Sequence, residues 1–534
     1  MSASKLSRVV LLATALVGGG CGRLRFADRP CVWQVDDKRP IAEPKSRDYL
    51  VIQYFADVFA MRRLERALAL PDLEPAHDVN SMEEVPDSTW FENRIGRRTI
   101  TPEEAARGPA TKPAPRPPFV IQKGKVGGGA LGFIMKDADG RSFLVKFDRK
   151  ENPEMQTGTN VIVNRFFWAF GYHVPADYVF DLRRSDISIS PKATAKNDFG
   201  DDVPYDEARL EEALAAGPPP KGGVYRATAS EFLSGKPMGG FPAEGTRPDD
   251  PNDVVPHEHR RELRGLRVLA AFLNHTDMKE DNTLDMYEEH EGRHYLVHYF
   301  VDFGEALGGH GAEKLRKEDG YEHFWDWENQ SRALVSLGLW TRPWEGLKPS
   351  GYAAIGIFSA EAFDPSRWRE AYPYWPFMEM DATDAFWAAK IVMRFSRDHI
   401  AAIVHEGRLT EPGAEAYLAR VLEQRRDAIG ETFLEALSPL DDLEIEGRRL
   451  CATDLGVGTG LRKYGVLERL VEGRVVESRD IGAAARACVG LPETRGYAVV
   501  TLRSRRGDVT RPPMEVHLML DERPRILGIV RDPR

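Results

Sequence analysis

The residue types best suited to chemistry are concentrated in Asn274-His275-Thr276-Asp277-Met278-Lys279-Glu280-Asp281-Asn282. Moving a phosphoryl group to a hydroxyl needs a carboxylate to orient or deprotonate the attacking oxygen, and an amide oxygen to bind a divalent cation beside it. Asp277 and Asn282 have those types at a separation of five residues, with the cation Lys279 between them. Twenty residues beyond Asn282, the apolar run Tyr295 to Val301 ends in Asp302-Phe303-Gly304, a second carboxylate at the end of a strand. Upstream, Gly127, Gly129 and Gly132 fit G-x-G-x-x-G, in which missing side chains let backbone amides approach phosphate oxygens. Lys146 follows, an ammonium suited to α and β phosphates.

These residues need elements to hold them. Phe119 to Gln122, Gly132 to Met135 and Ser142 to Phe147 read as strands of an antiparallel meander, with a turn at Asp137-Ala-Asp-Gly140. Strand alternation sends Phe143, Val145 and Phe147 to one face and Lys146 to the other. Residues 157–170 are apolar enough for a buried helix closed by Gly171, and a strand is expected from Asp177 to Leu182. Residues 193–222 and 236–256, rich in Pro, Gly and Asp, read as loops or insertions. From His257 the period turns helical, with Leu263, Leu266, Ala270 and Leu273 on one buried face and Arg260-Arg261-Glu262-Leu263-Arg264 contributing its solvated side. Thr383, Ser396 and Thr410 are the expected caps of three later helices, and short alternating runs beyond Pro439 predict an all-β module.

Taken in order, Gly-rich loop, lysine, helix, H-x-D, asparagine and D-F-G, the chain resembles the protein-kinase-like superfamily, nearer to its atypical HipA and CotH branches than to ordinary eukaryotic kinases. The likeness covers about residues 119–437 and implies an α+β, two-lobed core with an antiparallel β-rich N-lobe, a helical C-lobe and ATP with Mg²⁺ in the cleft. It implies Asp277 as the catalytic aspartate, Lys279 as a γ-phosphate contact, Asn282 and Asp302 as metal ligands, and Gly127, Gly129, Gly132 and Lys146 as phosphate-binding residues. The helix after Lys146 has no acidic residue between Thr157 and Phe170, so Glu154 or Glu151 is left to pair with the lysine, and Asn160 sits where a glutamate is expected. No A-P-E follows the D-F-G. The wider pattern, including Asp78-Val-Asn-Ser-Met-Glu-Glu-Val-Pro-Asp-Ser-Thr-Trp90, also resembles a bacterial lipoprotein family of unassigned activity.

The remaining sequence bounds compartment and partners. Lys5 and Arg8, the apolar run Val9 to Val17 and Gly18-Gly-Gly-Cys21 form an export signal that resembles a lipoprotein signal with Cys21 as the lipidated residue. Cell-envelope placement, with the membrane reached through the N-terminal anchor alone, follows from it. Lys plus Arg number 73 against 83 Asp plus Glu, a formal net charge of −10 with no basic concentration, which argues against a nucleic-acid binder. Cys451 and Cys488 either pair or remain buried thiols beside Cys31. The expected organisation is signal peptide 1–20, N-terminal accessory segment 21–107, Pro-rich linker 108–118, kinase-like N-lobe with insertions 119–235, helical C-lobe 236–438 and a sandwich-like β module 439–534. Two activities fit: phosphoryl transfer to a hydroxyl on an unidentified protein or small molecule, and a catalytically inactive kinase fold that serves binding or surface structure. Nucleotidyl transfer is a third.

Overall fold

In the sheet that carries Lys146, alternate residues are buried because successive side chains leave a strand on opposite faces. The computed structural model describes residue 26 and residues 31–48, 51–68, 74–124, 132–197, 201–310 and 315–531. Strands β1 (Phe119–Gly124), β2 (Gly132–Lys136), β3 (Ser142–Lys146), β4 (Asp177–Arg183), β5 (Ile187–Lys196), β6 (Asp202–Pro204) and β7 (Val224–Glu231) form one sheet in the order β4-β7-β3-β2-β1-β5-β6. The meander β1-β2-β3 is antiparallel as expected, but β1 and β5 pair in parallel. Phe143 and Val145 are fully buried, while the Lys146 side chain keeps 16% of its surface. Residues 193–222 are more ordered than their composition predicts. They include β6 and a ten-residue helix, Glu207–Ala216, started by the Asp206 side chain on Arg209 N–H and buried through Leu210 and Leu214. The i, i+4 pair of leucines was outweighed in the sequence by the flanking Gly217-Pro-Pro-Pro220.

Helices make the second lobe. We number the helices used below α1 (Val51–Ala56), α2 (Arg62–Leu68), α3 (Pro102–Arg107), α4 (Met155–Phe170), α5 (Glu207–Ala216), α6 (Arg261–Leu273), α7 (Trp327–Val335), α8 (Ala382–Val392), α9 (Arg397–His405) and α10 (Ala414–Ile429). One apolar core joins α4, α6, α8, α9 and α10, and it also takes in Trp90, Phe91, Ile95 and Ile100 from the N-terminal segment. Gly171 closes α4 with a φ of +150°, a conformation that favours glycine. Ser396 caps α9 as expected, but Asp381 rather than Thr383 caps α8, and α10 starts after Gly413 rather than at Thr410. A carboxylate at Asp381 accepts from both Thr383 N–H and Asp384 N–H, a stronger cap than the hydroxyl two residues later. The run Arg260 to Arg264 is not a solvated face. All five residues are buried, and Arg261 bonds Asp384 at 2.9 Å.

The N-terminal segment runs across both lobes. Ile41 N–H donates to the His294 carbonyl, Arg47 N–H to that of Met238, and Thr89 donates twice to Asp37. Residues 108–118 are extended, as the prolines require, yet lie against the sheet, with Tyr178 and Arg141 donating to the carbonyls of Lys112 and Pro113. At the C-terminus, β11 (Leu440–Glu446), β12 (Arg449–Asp454) and β15 (Arg486–Gly490) make one sheet, and β13 (Gly465–Val471), β14 (Arg474–Ile481), β16 (Gly496–Arg506), β17 (Val509–Thr510), β18 (Met514–Leu520) and β19 (Arg525–Val530) make another. Both contribute to a common apolar core, including Leu450, Val489, Leu502 and Val516. Cys451 and Cys488, opposite each other on β12 and β15, form a disulfide, and Cys31 is a half-buried thiol. The architecture is α+β: a two-lobed core followed by an all-β module. No helix among the described residues is long and apolar enough to cross a membrane. The signal sequence and Cys21 lie outside the described residues.

Candidate active site

The C-terminal end of α6 sets the first half of the site. Asn274 takes a left-handed conformation, its N–H bonding the carbonyls of Ala270 and Ala271, and the chain turns sharply into the loop that follows. His275 is buried with Nδ1 3.0 Å from the Glu305 carbonyl, so it joins this loop to the backbone just after Gly304. Burial holds its pKa below the ordinary histidine value, in keeping with a structural imidazole. Beyond it, Lys279 Nζ reaches both Asp277 carboxylate oxygens, at 2.9 and 3.1 Å. Asn282 Nδ2 donates to the Asp277 carbonyl at 2.7 Å and to Oδ2 at 2.8 Å. Burial lowers the Lys279 pKa, but the Asp277 carboxylate more than offsets it and leaves the ammonium above its usual value. The Tyr372 ring lies 5.7 Å from the same Nζ.

The loop is braced from the N-terminal segment. Glu280, 2% exposed, accepts from Arg47 at 2.7 Å and from Arg62 at 2.9 Å, as well as from Ala243 N–H. The hairpin of β9 (Thr283–His290), which also pairs with the short β8 (Lys236–Pro237), and β10 (Arg293–Phe300) then returns the chain, and Val301 N–H bonds the Asn282 carbonyl at 3.0 Å. Asp302 therefore emerges beside the loop, with a left-handed φ of +61°.

Across the cleft, Lys146 Nζ meets Asp302 Oδ1 at 2.8 Å. The lysine does not meet Glu154. That carboxylate accepts from Thr410 N–H at 2.7 Å and from the Thr410 hydroxyl, with Lys221 at 3.5 Å, which also explains why Thr410 caps no helix. The acid near Lys146 is Asp177 on β4, whose carboxylate accepts from Asn160 at 2.6 Å and Ser230 at 2.5 Å. Burial pushes the Asp177 pKa up to about 6 against the pull of these partners, of Arg165 and of Lys146. Asn160 Oδ1 also accepts from Phe303 N–H at 3.1 Å, so one α4 amide ties Asp177 to the backbone of the D-F-G turn. Asp177 lies on β4 rather than on the helix that follows Lys146, so no local signal in the sequence marks it. Asp281 goes unmarked too. Burial raises its pKa and Lys279 lowers it, while Asp277 and Asp302 add like charge, which places a third carboxyl within the same electrostatic field.

Gly127 and Gly129 lie outside the described residues. Gly132 sits on β2 opposite Lys146, where an added Cβ would come 1.9 Å from the Val145 carbonyl, so strand packing alone requires glycine there. The cavity at the lysine, bounded by Lys146, Gln156, Asn160, Thr228, Asp302 and Gly304, measures about 20 Å³.

No family model matches the chain, and no curated protein matches it. Two solved structures of the Golgi casein kinase are similar to it. One is 10% identical over 61% of this chain and 74% of its own, with a TM-score of 0.26. The other, with Mn/ADP bound, is 11% identical over 75% of this chain and 97% of its own, with a TM-score of 0.24. Similarity at that level carries no inference about chemistry, which rests here on the chain's own side chains.

Proposed function

We propose that the chain is an atypical kinase-like protein of the HipA/CotH kind that transfers a phosphoryl group from ATP to a hydroxyl. The observation that carries this reading is the Lys146–Asp302 pair across the cleft, with Asn160 holding the Phe303 amide beside it. The donor set suits Mg²⁺. Asn282 turns its NH₂ toward Asp277, which points its amide oxygen the other way, and Asp302 adds a carboxylate, both hard oxygen ligands. Asn282 and Asp302 would hold the ion, which when bound neutralises charge on the phosphates. Asp277 orients the acceptor hydroxyl and takes its proton. Lys279, fixed on Asp277, would contact the γ-phosphate, while Lys146 would exchange its carboxylate for the α and β phosphates, with Gly127 and Gly129 as further candidate phosphate contacts. His275 and the Glu280 brace keep the loop in register.

We place the protein in a bacterial cell envelope, lipid-anchored at Cys21, with an unidentified protein or small molecule as acceptor. The Cys451–Cys488 disulfide supports an oxidising compartment. A mass spectrum of the mature N-terminus tests the anchor.

A second reading, a kinase fold without turnover that serves binding or surface structure, draws on the 20 Å³ cavity and on the direct closure of Lys146 onto Asp302. Thermal unfolding with and without Mg·ATP tests nucleotide binding, since a ligand that binds only the folded state raises the midpoint. A rise that Lys146→Ala removes supports nucleotide in this cleft, and phosphate transfer lost in Asp277→Ala then separates turnover from binding alone; no rise at millimolar nucleotide rejects transfer.

A further inference from the structure

A second cavity, of about 1330 Å³, opens where the N-terminal segment, the start of α6 and the end of β19 meet. Its walls are largely apolar, with Val32, Val79, Val85, Val255, Ile529 and Val530 among them. Five acids line the same space, Asp37, Asp78, Glu83, Glu262 and Asp381, and three of them hold carboxyl oxygens with an incomplete set of donors. Glu262 is 1% exposed, and among the described residues its carboxylate oxygens find no donor beyond its own N–H and the adjoining Asp78 carboxyl. Asp78 Oδ2 and Asp37 Oδ1 are likewise buried without a donor, although their other oxygens accept from Arg261 N–H and from Thr89. Among the described residues the nearby cations are largely committed elsewhere. Arg261 is spent on Asp384, Thr383 and the Glu83 carbonyl. Arg260 donates to Asp253 and stands 3.6 Å from Glu262, and its Nε has no acceptor.

Buried polar atoms are nearly always paired, and a buried carboxylate without a partner is among the most unfavourable groups a fold can hold. Burial and the adjoining Asp78 carboxyl hold the Glu262 pKa well above the ordinary value, so that a proton serves the pair when nothing else does. Among the described residues, Asp37, Asp78 and Glu262 are not among the groups whose ligand atoms converge closely enough for a metal ion. An extended cation answers the geometry better. The space also exceeds the roughly 300–1,000 Å³ usual for small-molecule sites, and the unpaired Arg260 Nε calls for an acceptor.

We infer that this cavity binds an aliphatic peptide segment carrying a basic side chain, whose cation meets the Glu262 and Asp78 carboxyl groups and whose backbone carbonyl meets Arg260. The inference does not depend on the phosphotransfer reading. Acetyl-Val-Arg-Val-amide, titrated calorimetrically into the full chain, tests it against the neutral acetyl-Val-Gln-Val-amide. Saturable binding of the basic peptide is expected at least about tenfold tighter than the neutral one, from the strength of charge-assisted hydrogen bonds. Glu262→Gln and Asp78→Asn should each erase that preference. Amide exchange in the wild type, which needs no variant, should slow around residues 78–81 and 529–530 on binding. Absence of saturable binding, equal affinity for both peptides, a preference surviving in both variants, or protection confined to other regions would each overturn the assignment.

Discussion

The two ends of α6 handle buried charge in opposite ways. At its C-terminal end the ions that brace the loop and cross the cleft meet counter-charges: Lys279 on Asp277, Arg47 and Arg62 on Glu280, Lys146 on Asp302. At its N-terminal end Glu262 and Asp78 adjoin each other, and the one cation near Glu262, Arg260 at 3.6 Å, gives it no hydrogen bond. One helix thus joins a site that is electrostatically complete to one that is not. A ligand at the complete end must break pairs to enter, whereas a ligand at the other end supplies what is missing. Both ends follow one rule, that charge removed from water needs a partner.

The largest expected effect comes from cutting the chemistry at the complete end. Asp277→Ala removes the group that the proposed function assigns to orienting the hydroxyl, and on that proposal should lower phosphoryl transfer by about 10²- to 10⁴-fold. Nucleotide binding, read by the Mg·ATP shift of the unfolding midpoint, should persist, and so should peptide binding at the other end. Equal turnover by variant and wild type would remove Asp277 from the mechanism.

Next in size is the brace. Glu280→Gln leaves Arg62 and Arg47 facing a neutral amide in a buried place, and breaking such a pair is expected to destabilise the fold by about 3 kcal/mol. Glu262→Gln should do the reverse at neutral pH, leaving stability unchanged or raising it by about 1 kcal/mol, because it removes a buried carboxyl that Arg260 at 3.6 Å offsets only in part. Denaturant unfolding of the two variants measures both.

Their pH dependence should also run in opposite directions. Burial raises the Glu280 pKa, but Arg47 and Arg62 outweigh it and leave it below 4.5, so its stabilising contribution is present above that value and fades as pH falls through the lowered pKa. Burial, reinforced by Asp78 and only partly opposed by Arg260, raises Glu262 above 4.5, so its contribution is complete below that value and is lost as pH rises through the raised pKa. The gain from Glu262→Gln should therefore grow with pH, and the loss from Glu280→Gln should shrink in acid. Parallel pH profiles for the two variants would abolish the contrast.

What the sequence could reveal depended on whether a signal was local. Strand alternation placed Lys146, and the fixed spacing of Asp277, Asn282 and Asp302 marked the loop and turn, because each is decided within one element. The α+β lobes and the β module were legible for the same reason. Partners between elements were not. Nothing near Lys146 in the chain points to Asp177, thirty-one residues away on β4, and nothing in Arg260 to Arg264 announces that Asp384 and Asp253 will bury it. A run of charge looks solvated until the acids that meet it are known. Glu154 failed as the lysine's partner on the same ground, since adjacency in sequence was the whole case for it.

That last point gives the smallest and most discriminating test. Glu154 holds Thr410, joining the start of α4 to the chain ahead of α10, and its contact with Lys221 is exposed on the lysine side. Glu154→Gln keeps the shape and one acceptor oxygen but turns an NH₂ toward a donor, so a loss of about 1 kcal/mol is expected. Because neither Lys146 nor Asp302 touches Glu154, the Mg·ATP shift should be unchanged. Asn160→Ala, by contrast, frees Phe303 N–H and Asp177 together and should shrink that shift. If instead Glu154→Gln abolished the shift while Asn160→Ala spared it, the lysine would have to exchange partners on binding nucleotide, and the cleft described here would represent only its closed pairing.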